Sequence, residues 1–96
     1  MSSSIARVET VHASRYLQQL CKHWSHKFAV EFDEAAGCVP FGDDQFLRLS
    51  AAEDVLTMTL DAPGSGSTER LESVVTDHLK RFAFREELAI SWEKSG

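Results

Sequence analysis

Hydrophobic and polar positions from residue 13 to residue 28 repeat with the period of a helix. At about 100° per residue, Ala13, Tyr16, Leu17, Leu20, Cys21, Trp24 and Phe28 gather on one stripe. Arg15, Gln19, Lys22 and His26 lie opposite, with His23 on the flank. The spacing predicts a helix over 15–28, with His12, Ala13 and Ser14 supplying capping chemistry in front of it. A second helix is predicted up to about residue 84. Its stripe is Leu71, Val74, Val75, His78, Leu79 and Phe82, and Asp77 and Arg81 stand four apart on its solvent side.

Elsewhere the period changes to two. Ala6 and Val8 alternate with Arg7 and Glu9, which predicts a strand over 5–11 with one wet face, placed at a sheet edge. Val30 and Phe32 oppose Glu31 and Asp33, and a turn at 34–37 leads to a strand over 38–41. Pro40 in that strand has no N–H to donate, so it requires an edge, a bulge or pairing through other groups. Leu47 and Leu49 mark a fourth strand. Leu56, Met58 and Leu60, alternating with Val55, Thr57 and Thr59, mark a fifth, and Leu88, Ile90 and Trp92 mark the last. The order β-α-β-β-β-β-α-β with short connections defines an α+β two-layer sandwich. One mainly antiparallel sheet of about six strands carries both helices on one face. Its other face, with Phe46, Arg48, Val55, Thr57 and Thr59, is left for solvent, a ligand or a second copy in a homodimer. Residues 1–96 are read as a single domain, with 1–4 a flexible tail and 93–96 a short one.

Charge sharpens this picture. The 96 residues carry a formal net charge of -5, yet segment 15–28 holds Arg15, Lys22 and Lys27 and no acid. That segment therefore carries +3 and the remainder -8. An acidic total argues against nucleic acid as a partner, because that affinity comes mainly from Lys and Arg on phosphates. No apolar run is long enough for a membrane span, and Met-Ser-Ser-Ser-Ile lacks the character of a signal peptide, so a cytoplasmic protein is expected. Cys21 and Cys38 are too few for a disulfide framework and are read as reduced core residues.

Candidate chemistry centres on the first helix. Its basic face, Arg15, Lys22, His23 and His26 with Lys27 at the margin, offers a site for an anionic small molecule or an acidic partner. The competing reading has these cations balancing nearby carboxylates such as Glu31, Asp33 or Glu34. His23 and His26 stand three apart, as two metal ligands on one helix would. A metal- or haem-binding alternative follows if Cys38 or His78 joins them, against plain solvent-facing histidines. No cofactor is required by the pattern. His78 falls mid-stripe on the second helix, where a buried imidazole either acts chemically or donates to a backbone carbonyl. The loop 62–68 precedes a helix as a phosphate loop would, but lacks the Gly-Lys-Ser/Thr ending. No nucleophile and base stand at recognisable spacing, so no enzyme is predicted.

The segments Ser14-Arg15-Tyr16-Leu17-Gln18-Gln19-Leu20-Cys21-Lys22-His23-Trp24-Ser25-His26-Lys27-Phe28 and Asp77-His78-Leu79-Lys80-Arg81-Phe82-Ala83-Phe84-Arg85-Glu86-Glu87-Leu88 carry a resemblance. Through them nearly the whole chain resembles a small bacterial family known as domain of unknown function 2218. Members of that family stand alone or are joined to siderophore-interacting, flavin-dependent ferric reductases. The resemblance implies a setting in iron or siderophore metabolism and such a reductase as a partner. The flavin- and nicotinamide-binding parts of the fusions have no counterpart in this chain.

Overall fold

A computed structural model of the chain describes residues 2–42, 44–62, 67–84 and 86–95. Six strands form one sheet in the order β2-β3-β4-β5-β1-β6. In chain order these are β1 (Ser2–Glu9), β2 (Glu31–Phe32), β3 (Ala36–Gly42), β4 (Gln45–Ala51), β5 (Val55–Ala62) and β6 (Trp92–Ser95). Every neighbouring pair is antiparallel. Helices α1 (Ala13–Trp24) and α2 (Ser67–Phe82) cover one face, as the two-layer reading expected.

The two-residue period decides which side of the sheet is covered. Leu56, Met58 and Leu60 on β5 are completely buried under the helices, as are Leu47 on β4, Val39 on β3 and Ala6 and Val8 on β1. The residues that alternate with them point outward, where Thr59 lies between Arg48 on β4 and Ile5 on β1. Arg48 pairs with Asp61 at 2.5 Å on this outer face, and Ser3 Oγ donates to the same carboxylate at 2.7 Å.

Several placements differ from the sequence reading. β1 is interior, paired with β5 from Ser2↔Ala62 to Glu9↔Val55 and with β6 on its other side. Its one wet face reflects the bare side of the sheet and not an edge position. Segments 2–4 and 93–95, expected as tails, lie in strands, with Ser3 opposite Ser95 and Ile5 opposite Glu93. The last strand begins at Trp92, while Leu88 and Ile90 pack against the core outside it. Trp92 is held by its Nε1–H, which donates to Thr76 Oγ1 at 2.9 Å.

Helix α1 stops at Trp24, short of the expected 26–28. Ser25 donates its N–H to the Cys21 carbonyl at 2.9 Å and its hydroxyl to the Lys22 carbonyl at 2.7 Å. The Lys27 and Phe28 amides both reach the Trp24 carbonyl, closing the turn. Side-chain competition for the last carbonyls thus ends the helix. At the other end no side chain caps α1; its N-terminus is fixed through Ser14, which donates to the Glu34 carbonyl at 2.6 Å. Helix α2 ends at Phe82, two residues before the expected Phe84.

Two features set where α1 lies. A Cβ on Gly37 would stand 2.6 Å from Cys21 Sγ, so only the missing side chain lets the helix approach β3 this closely. Pro40 falls at a register irregularity between β3 and β4 and beyond the end of β2, where its lost donor costs nothing.

Candidate functional site

The C-terminal turn of α1, one side of α2 from Arg70 to His78 and the bulged end of β3 diverge around an open pocket of about 720 Å³. Its floor is aromatic. Phe41 receives Trp24 and Phe28 edge-on, with ring centroids 5.1 and 5.2 Å away. Trp24 is 4% exposed and fixed by the core, whereas Phe28 and Phe41 are half-buried. Leu71 and Val74 supply the apolar wall on α2.

Three imidazoles line the same pocket. His78 packs against Trp24 at 5.3 Å and against His23 at 5.0 Å, while His26 enters from the turn after α1. His78 Nδ1 lies 2.7 Å from the Val74 carbonyl. A carbonyl only accepts, so Nδ1 carries a hydrogen, and in the neutral ring Nε2 keeps the lone pair. His23 is held below the ordinary histidine pKa, first by partial loss of water and then by His78, His26, Arg81 and Lys27 around it.

Lys27 and Arg70 complete the lining with Gln45, and no carboxylate is among the described lining residues. A cationic rim over an aromatic floor suits a small anion with a flat apolar body.

Of the four residues predicted to form one basic site, three stay together and Arg15 stands apart. His23 and His26 line the pocket. Both also border a second depression on the outer side of α1, together with Lys22, Ser25 and Phe82. Arg15 lies in a separate depression beside Tyr16 and Glu86. There the Tyr16 hydroxyl donates to Glu86, which also accepts from Thr10 Oγ1 at 3.2 Å. Burial, followed by this hydrogen bond, pushes the Tyr16 pKa up to about 12. Among the described residues, ion pairs join Arg48 to Asp61 and Lys94 to Glu69, and none involves Arg15, Lys22 or Lys27.

Arg70, Phe41 and Gln45 were missed by sequence reading. Arg70 leaves a faint signal, standing one turn before Val74 and two before His78 on the same face of α2. The glycine-rich stretch 63–66 lies outside the described residues. No group of three His, Cys, Asp or Glu side chains able to hold a metal occurs among the described residues. Among them, too, no helix is long and apolar enough to cross a membrane.

Fold and pocket together define a two-layer α+β domain that opens a basic, aromatic cleft between its helices. The chain belongs to the bacterial family described as "Uncharacterized protein conserved in bacteria (DUF2218)", whose model matches residues 5–93. It is also similar to PA4090 from Pseudomonas aeruginosa, known from an NMR structure. The two share 42% identity and a TM-score of 0.81 over 97% of this chain and 96% of that one. No match to a curated protein was found.

Proposed function

We propose that this domain is a non-enzymatic binding module that takes a small aromatic anion into the pocket between α1 and α2. The observation that carries the reading is the lining itself: Lys27, Arg70 and three imidazoles around Trp24, Phe28 and Phe41, with no carboxylate among the described lining residues. The flat body of the ligand would stack on the aromatic floor, and its charge would meet Lys27 and Arg70 at the rim. The setting in iron or siderophore metabolism implied by the family resemblance belongs to this proposal. A cytoplasmic location and a ferric reductase partner belong to it as well.

The test is a titration of chelator-treated, untagged protein with salicylate, followed by amide NMR shifts, with benzylamine as a cation of similar size. Salicylate should move residues 23–28, 41 and 70–78, and benzylamine should not. Replacing Lys27 and Arg70 together by neutral residues should weaken salicylate roughly tenfold, the effect of about 1.4 kcal/mol. Equal shifts with benzylamine, or shifts confined to other surfaces, would sink the reading.

A further inference from the structure

The pairing of His23 with His78 has a chemical use that the anion pocket does not need. His78 is oriented as metal-binding histidines usually are, one ring nitrogen donating to a backbone carbonyl and the other left with its lone pair. Its neighbour His23, on the other helix, makes no hydrogen bond through either ring nitrogen among the described residues, and the two centroids are 5.0 Å apart. Two imidazoles bound to one tetrahedral ion through bonds of about 2.0–2.1 Å hold their centroids roughly 5 Å apart. Axial ligands on opposite sides of a haem would need roughly 6 Å. A separation of 5.0 Å at a tilt of 49° is a ring contact that also fits neighbouring positions on a single ion, and it is too short for the two faces of a haem.

The geometry points to a site for one imidazole-preferring divalent transition metal ion, held by His23 and His78 across the two helices, with its remaining positions open to the pocket. Among the described residues no third His, Cys, Asp or Glu completes the set. The ion would therefore keep positions for water or for oxygen atoms of a ligand, as catalytic and exchangeable sites do and closed structural sites do not. An anion with two adjacent oxygens could then chelate the ion while its ring rests on Phe41. That second step rests on the proposed anion pocket; the metal site does not.

The experiment uses untagged, chelator-treated full chain titrated with Zn²⁺ alone by calorimetry, and with Co²⁺ by visible absorption. One ion per chain should bind. The exposed substitution His23→Ala should weaken binding by roughly tenfold or more, and His78→Gln should do the same. His26→Ala should have a smaller effect. Imidazole ¹⁵N spectra of the wild type should show Nε2 of His78 shifting on Zn²⁺ addition while Nδ1 keeps its hydrogen, a signature that needs no variant. With Zn²⁺ present, salicylate should bind more tightly, and benzoate, with one donor group, should gain less. Failure of Zn²⁺ and Co²⁺ to bind, or binding unchanged in His23→Ala, would overturn the site. If salicylate still binds the chelator-treated protein in that case, the anion pocket stands without the metal. If Zn²⁺ binds as described and salicylate binds under neither condition, the metal site stands and the anion reading falls.

Discussion

Replacing Gly37 by alanine should push α1 off the sheet, and the structure says by which contact. The new Cβ would lie 2.6 Å from Cys21 Sγ, 3.1 Å from Phe32 Cβ and 3.6 Å from Leu17 Cδ2. The last distance is ordinary packing. Phe32 can yield, because it is 37% exposed on a two-residue edge strand. Cys21 cannot, since it is completely buried in the middle of α1. Overpacking of this kind costs about 1–3 kcal/mol. In a domain of this size, each kcal/mol lowers Tm by about 4–8 °C. Cys21→Ala alone removes a buried sulfur at a cost of about 1 kcal/mol. In the double variant the methyl group introduced at position 37 occupies the space the sulfur has left, so the two changes should compensate by about 1–2 kcal/mol. Urea unfolding of the four proteins, with thermal melts as a check, measures this coupling. If the double variant loses the sum of the two single losses within about 0.5 kcal/mol, the close approach of α1 to β3 is not held by this contact. The same helix carries Trp24 onto Phe41, so Gly37→Ala should also weaken salicylate, and Cys21→Ala should restore part of the loss.

Neutralising Arg15 and Lys22 should leave salicylate affinity within about twofold, under 0.5 kcal/mol, because neither lines the aromatic pocket; the same titration would detect a larger loss. Tyr16→Phe should cost about 1.5–3 kcal/mol by removing a hydrogen bond to the Glu86 carboxylate, read by chemical denaturation. Folding raises the Tyr16 pKa from 10.0 to about 12, so the folded state holds the hydroxyl proton more tightly than the unfolded chain. That stabilisation is fully present below pH 10 and is lost as pH rises toward 12, and Tyr16→Phe should flatten this part of the stability curve. Burial pushes the Cys21 thiol up to about 11, with Cys38 adding to the shift. Thiol labelling of the folded protein at pH 8 should therefore spare Cys21 and modify the half-buried Cys38, with mass spectrometry locating the label.

Local pattern determined most of the architecture. The three-and-four spacing of α1 named its buried residues, and Ala13, Tyr16, Leu17, Leu20, Cys21 and Trp24 are all in the core. The alternation in β5 named the covered face of the sheet, because a strand's side chains change sides at every residue. Pairing partners are another matter. The sequence pattern of β1 is the same whether one strand or two lie beside it, so its interior position and the strand role of residues 93–95 emerged only when β6 docked. The site shows the same division. A helical wheel placed His23, His26, Lys22 and Arg15 on or beside one polar face, but α1 ends at Trp24 and the following turn swings His26 and Lys27 toward α2. Lys22 stays on the outer side of α1, in a depression that His23 and His26 also border, and Arg15 lies apart. The meeting of His23 with His78, and of both with Trp24 and Phe41, joins residues up to 55 positions apart in the chain. Periodicity reports only which way a side chain faces along its own element. What it faces depends on how closely two elements pack, and here that was decided by a glycine under a cysteine.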